Sequence, residues 1–402
     1  MADRFSNQPA YCGRRSLLVS SAALALGLAG CNPRTYPLTV YLLEGAVPPT
    51  LLNDFSRQAG TVQFKNESQL SALFDELQRM GSSTTKPSSS GDPIKNTPAT
   101  TSLVSLGDYW LTAAIQADLI RPLSVETVPG WSRLPQQWQR LVTRNASGYL
   151  DDDGKVWGAP YRMGSLVIAY RRAELAAHGG PPQDWRDLWR PELGGKISML
   201  DSARTVIGVA LKALGADPNA AELGNIAGLT AKLTALHQQV KLYSSEAYLQ
   251  PLLLDDVWLA VGWSTDILPL VRRNPRLAVM VPQSGTLTTS DIWVQPSAAT
   301  AVDGLDLAAQ WISFLWQPEI ATRLSLLNTG VSPLLLNQAR GNLPSALQTD
   351  AVLLPKKEVI DRSAAILPLP PSVAEAYSTL WVETRQTVST TARQNSNGPR
   401  GA

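Results

Sequence analysis

Few reactive groups are available to this chain. Its two histidines, His178 and His237, stand apart, and its two cysteines, Cys12 and Cys31, both fall near the N-terminus. A structural zinc site needs about four nitrogen or sulfur ligands, and an activated nucleophile needs a base within hydrogen-bond reach. Neither a metal centre nor a His-based triad is indicated. His178 precedes Gly179, where it suits the C-terminus of a helix. Asp151-Asp152-Asp153-Gly154 lacks the alternating spacing and closing glutamate of a calcium loop and reads as a turn. Gly179-Gly180 and Gly194-Gly195 lack the further glycines of a phosphate or dinucleotide loop, so no cofactor is expected. What remains is a set of acidic and aromatic residues at predicted strand ends. Carboxylates hold a small organic ammonium by charge, and ring faces add about 0.5 to 2 kcal/mol of cation–π attraction each. Asp108 and Tyr109 close a predicted strand over 101–106, the end at which open α/β sheets bind ligands.

Such residues must be held by a regular frame. The apolar patterning predicts a strand over 38–43 and a helix over 50–58 opened by Val47-Pro48-Pro49. A strand over 62–64 follows, then a helix over 68–80 with Leu70, Leu73, Phe74 and Leu77 on one face. Periodicity disappears between 81 and 100, a stretch rich in Ser, Thr, Pro and Gly that reads as a disordered surface insertion or a recognition loop. Further on, strands are expected over 196–200, 257–261, 277–281 and 292–294, and helices over 172–178, 203–214, 305–315, 318–326 and 372–388. A polar tail from Thr390 is expected to be disordered.

The stretch 149–172 organises this order. After the turn at Gly154, Val156 and Trp157 start a strand, and Pro160, which has no N–H for a ladder, marks where the chain leaves one sheet. Residues 166–170 form a continuous apolar run, the pattern of a strand covered on both faces in a second sheet. One lobe is therefore expected over 32–160 and 290–336, and a second over 161–289 and 337–388.

Gly154-Lys155-Val156-Trp157-Gly158-Ala159-Pro160-Tyr161, then Trp185-Arg186-Asp187-Leu188-Trp189-Arg190-Pro191-Glu192 leading to Gly195-Lys196-Ile197, resembles the spermidine/putrescine-binding proteins of ABC transporters. Val47-Pro48-Pro49 with Leu51-Leu52, Asp201 with Ala203-Arg204, Gly262-Trp263 and Asp291 recur in the same order, so the similarity covers roughly residues 38–335. The resemblance implies a type II periplasmic-binding-protein fold: two α/β lobes, each with a mixed central sheet flanked by helices, joined by two crossing strands and closing on a ligand. It implies capture of a polyamine or related organic cation for an ABC permease and ATPase, without catalysis. Asp291 falls on the family's diamine-anchoring aspartate, although a cap or turn would also explain it. Trp263 matches an aromatic that stacks on the ligand's methylenes, with plain core packing as the alternative. Asp201 matches too, and equally suits the N-cap of the following helix. Other family positions are replaced: Ser202 and Thr205 stand where the pattern has acids, and residues near Leu43 and Thr289 stand where it has tryptophans. Glu44 lies one residue out of register with a family glutamate. Losing these anchors points to a smaller or less charged ligand, unless Glu44, Asp108 or Asp266 compensates. A thiamine-like cation, a neutral solute, or a sensor or enzyme built on the same fold are the alternatives.

With 402 residues the chain is long enough for two cores. Its net charge of +2 resides in residues 1–31, which leaves the remainder neutral and argues against nucleic-acid binding. Arg14-Arg15, an apolar run over 17–29 and Leu28-Ala29-Gly30-Cys31 read as a lipoprotein signal ending in a lipobox. The twin arginines leave both export routes open. Lipid on Cys31 would anchor the mature protein, expected to act as a monomer, at the outer face of the cytoplasmic membrane. One remaining cysteine excludes a disulfide framework.

Overall fold

The computed structural model describes residues 36–83, 101–298 and 306–396, with the side chains of 83, 101, 127 and 387–396 excepted. The expected signal segment with Cys31, most of the 81–100 insertion and the last six residues of the tail lie outside the described residues. Among those described, no helix is long and apolar enough to cross a membrane.

A single mixed sheet runs through the molecule. Val62–Glu67, Leu38–Leu43 and Thr101–Gly107 lie side by side in parallel. Leu287–Pro296, the return strand, runs antiparallel against Thr101–Gly107 and also against Ala159–Arg171, the outbound strand. Beyond these come Leu259–Trp263, Ile197–Met199 and Val240–Tyr243. The outbound strand is one element of 13 residues. Its first half pairs with the return strand, and its second half pairs with Leu259–Trp263 on one side and Leu277–Met280 on the other.

Pro160 therefore does not end a sheet, as its missing N–H suggests it should. It lies in the outbound strand opposite Ile292, where the register shifts by one residue. At such a bulge one ladder bond is already absent, so a proline costs little. Its carbonyl is used, accepting from the Trp316 indole at 2.7 Å.

Two cores flank this shared sheet. The first gathers Phe55, Tyr161, Trp293, Trp311 and Phe314, with Tyr161 stacked on Trp293 at 4.5 Å and Trp311 edge-on to Phe55 at 4.9 Å. The second gathers Leu166 to Ala169, Trp185, Ile197, Val206, Ile207 and Leu259 to Val261. The 337–388 stretch contributes to both: Leu343, Leu347 and Leu354 pack in the first core, Tyr377 and Trp381 in the second. The run Leu166–Ala169 is fully buried, as a strand covered on both faces must be. The last helix, Pro371–Ser396, continues past Thr390, where the polar composition suggested a tail.

The layout fixes where a site can form. Gly107 ends its strand opposite Asp291, and Trp263 ends its strand opposite Leu166. The carboxyl ends of strands from the two halves thus converge on the few residues between Arg162 and Leu166 where the outbound strand crosses.

Candidate functional site

Asp108 enters the cleft from a 3₁₀ turn, Asp108–Trp110, immediately after its strand. Its side chain is buried; Oδ1 accepts from the Thr289 hydroxyl, and Oδ2 has no partner among the described residues. Burial pushes its carboxyl up to about 7, against the stabilising pull of the Thr289 hydrogen bond and of Arg144. Arg144 lies beneath, donating to the Thr112 hydroxyl at 2.8 Å and to the Leu141 carbonyl at 2.9 Å. Burial lowers this guanidinium to about 10, and the charge of Asp108 opposes that fall. Tyr109 is 54% exposed, and its ring folds back over Gly107, where a Cβ would come within 2.5 Å of it.

Arg162 and Asp291 face each other across the two crossing strands. Arg162 Nε donates to Asp291 Oδ2 at 2.6 Å, with both side chains less than one-tenth exposed. Burial alone would lower the guanidinium, but the adjoining carboxylate outweighs it and holds Arg162 above its usual range. A second arm, Nη1, donates to Asn328 Oδ1 at 3.2 Å. Asn328 in turn donates to the carbonyls of Gly45 and Ala46, tying the turn after Leu38–Leu43 to the same cluster. Glu44 stands exposed on that turn, its backbone N–H bonded to the Glu67 carbonyl at 2.8 Å.

From the other half, Trp263 is half-buried at the end of its strand, where it leads into helix Ser264–Arg273. Asp266 lies in the first turn of that helix, Oδ2 accepting from the Tyr248 hydroxyl at 2.9 Å and Oδ1 from Thr265 at 3.3 Å. Asp266 has exposed area yet is closely ringed by protein. This crowding raises its carboxyl, with Asp291 adding to the rise, while the Tyr248 and Thr265 hydroxyls and the charge of Arg162 oppose it. The Thr329 hydroxyl donates to the Thr265 carbonyl at 3.2 Å, joining this helix to the segment that carries Asn328.

The structure thus brings Asp108 and Asp266 each within electrostatic range of Asp291, with Tyr109 feeling all three. Asp201 is held elsewhere. Arg385 of the last helix grips both its oxygens at 3.0 and 3.1 Å. The cap expected of Asp201 belongs instead to Ser202, whose hydroxyl accepts from the Thr205 N–H at 3.3 Å. Of the groups at the crossing, Arg162 and Asn328 were not expected from the sequence. An arginine in the middle of a largely apolar strand signals that a counter-ion is needed, but it does not say which. A cavity of about 270 Å³ opens beside Asp108 and Tyr109, walled on the far side by Arg204, Leu367 and Tyr377. A larger hollow of about 530 Å³, between Gln137, Leu335, Arg340 and Ile360, contains none of these groups. No cluster of His, Cys, Asp and Glu among the described residues could hold a metal ion.

Two α/β halves on one sheet, crossed by two strands with polar groups converging at the crossing, define the class of two-lobed solute receptors. Residues 100–362, well over half the chain, match the family model for bacterial extracellular solute-binding proteins, and the chain belongs to that family. It is a solute-binding protein and not an enzyme. The putrescine-binding periplasmic protein PotF of Escherichia coli K12 is 24% identical over 254 residues, 58% of this chain and 66% of PotF. The spermidine/putrescine-binding periplasmic protein 1 of Haemophilus influenzae is 21% identical over 361 residues, 86% of this chain and 92% of that protein. Among solved structures, the spermidine/putrescine transporter substrate-binding protein PotD of Streptococcus pneumoniae superposes with a TM-score of 0.70 at 21% identity. That match covers 87% of this chain and 99% of PotD. A periplasmic thiamin-binding protein superposes with a TM-score of 0.54 at 15% identity, over 87% and 96% of the two chains.

Proposed function

We propose that this chain is the extracytoplasmic receptor of an ABC importer and captures a small organic cation related to the polyamines. One observation carries the reading. Asp108 presents a buried carboxylate oxygen with no donor, beside a cavity and within range of Asp291, and neither Arg144 nor Arg204, which also line that cavity, bonds its carboxylate. Such a cluster is unfavourable until a further cation enters. Tyr109 and Trp263 supply ring faces for the ligand's carbon chain. The names of its relatives support the same class of ligand. A permease and an ATPase would receive the solute, and lipid on Cys31 would tether the receptor outside the cytoplasmic membrane.

The test is calorimetric titration of the purified protein with aliphatic amines, alongside mass analysis of any solute it releases. Amines should bind, and Asp108→Asn should weaken the strongest of them by about tenfold or more. Absence of binding by every amine would overturn the cation reading while leaving the fold and family untouched.

A further inference from the structure

Three acids converge on the crossing, and one of them already has its cation. Asp291 is buried against Arg162, and the guanidinium is locked by Asn328 on its other arm and by the close approach of Gly330 to its stem, where a Cβ would come within 2.5 Å. A side chain so held is a permanent part of the site. A ligand ammonium arriving beside it would meet a like charge held among buried side chains, a juxtaposition that disfavours binding. Among the described residues Asp108 and Asp266 accept no guanidinium hydrogen bond on their carboxylates; Arg144 acts on Asp108 and Arg162 on Asp266 only through charge. Asp108 is buried with a free oxygen, and Asp266 is bonded only to hydroxyls in addition to its longer-range partners.

Resting on the cation reading above, we infer that the cleft selects an amine with a single ammonium, which Asp108 and Asp266 receive. Its far end carries an uncharged or anionic hydrogen-bond acceptor turned toward Arg162. Arg162 is in effect the second cation of a diamine, supplied by the protein, and it determines specificity by excluding a doubly charged ligand. Asp201, the fourth acid at a strand end, is likewise covered by a guanidinium, that of Arg385.

The experiment compares ligands of equal chain length that differ only at the far end: an α,ω-diamine, the corresponding amino alcohol and the corresponding ω-amino acid, each with four and with six carbons. Wild-type protein should bind the amino alcohol or the amino acid at least about tenfold more tightly than the diamine. Arg162→Met, which uncovers Asp291, should reverse this order. Arg162→Met combined with Asp291→Asn removes both charges and should lose the reversal, because the diamine's second seat is gone. The separate arms distinguish a hydroxyl from a carboxylate at the far end. A wild-type protein that binds the diamine as tightly as its partners overturns the inference and leaves the cation reading standing. An Arg162→Met variant that folds and keeps the wild-type order overturns it equally. Should Arg162→Met fail to fold, the wild-type order decides alone. If no compound of the series binds, the cation reading and this inference fall together.

Discussion

A carboxylate withdrawn from water with one oxygen unanswered stays ionised only at a cost, and Asp108 is in that position. Moving it from the ordinary carboxylate range to about 7 corresponds to on the order of 4 kcal/mol. The native state keeps a proton that the unfolded chain releases. Stability from this group is therefore fully present below the ordinary carboxylate range and is lost as pH rises through about 7. The groups that bear on it are the Thr289 hydroxyl, Arg144 below and the Ser290 backbone N–H, which favour the ionised form, and Asp291, which disfavours it. The ligand-free protein should become less stable between pH 5 and 8, and Asp108→Asn should flatten that slope and raise the melting temperature at pH 8. A cation selects the ionised form, so the linkage reverses on binding. Affinity should fall toward low pH, approaching about tenfold per unit well below 7, with a proton released on binding. Titration calorimetry in two buffers of different ionisation enthalpy detects that proton; none at pH 6.5 would mean that the ligand does not touch Asp108. Asp108 and Tyr109 were legible as strand-end residues. Arg162 was not, because its meaning depends on a partner 129 positions away that only strand pairing reveals.

At the scale of elements, close backbone approach decides how the acids are held. At Gly262 a Cβ would sit 2.1 Å from the Tyr248 ring, the ring whose hydroxyl bonds Asp266. Gly262→Ala must displace that ring. It should cost about 1 to 3 kcal/mol of stability from overpacking, and should also weaken cation binding by freeing Asp266. Denaturant melts and amine titration of the variant would check both; unchanged affinity would remove Asp266 from the site. Local patterning found most of the frame, including the 38–43 strand, the helix over 203–214 and the apolar run at 166–170, buried over 166–169. It missed helix Leu229–Gln239 and edge strand Val240–Tyr243, although Leu229, Leu233 and Leu236 recur at helical spacing and are buried. It also broke the outbound strand at Pro160. Proline's local preference was outweighed there by the ladder that Ala159 and Arg162 form with the return strand before and after it, and by a bulge that removed the need for its N–H.

At the scale of the whole molecule, the resemblance reached the two-lobed architecture, which no local pattern states. The length of the chain and the neutral charge balance of residues 32–402 showed only that such a fold was possible. The tether is tested by processing. Cys31→Ala should abolish signal cleavage at that residue and leave a precursor-length protein, seen by intact mass and by fractionation. Processed, membrane-bound protein in that variant would refute lipid on Cys31. A single acyl chain binds membranes only marginally, so the proposal requires the multiple chains of a bacterial lipoprotein.

The pairing of the two crossing strands also has a kinetic side. Residues 159–165 of the outbound strand find their partners at 288–293, well over a hundred positions later. Tyr161 stacks on Trp293, so neither the shared sheet nor the first core is complete until the return strand has emerged. Loop closure of that length must precede the contacts that reward it, which places the chain among slow folders. A polypeptide that is threaded through a membrane before it folds gains from such a delay. For the exported receptor proposed above, late closure of the sheet would leave the two halves apart during synthesis.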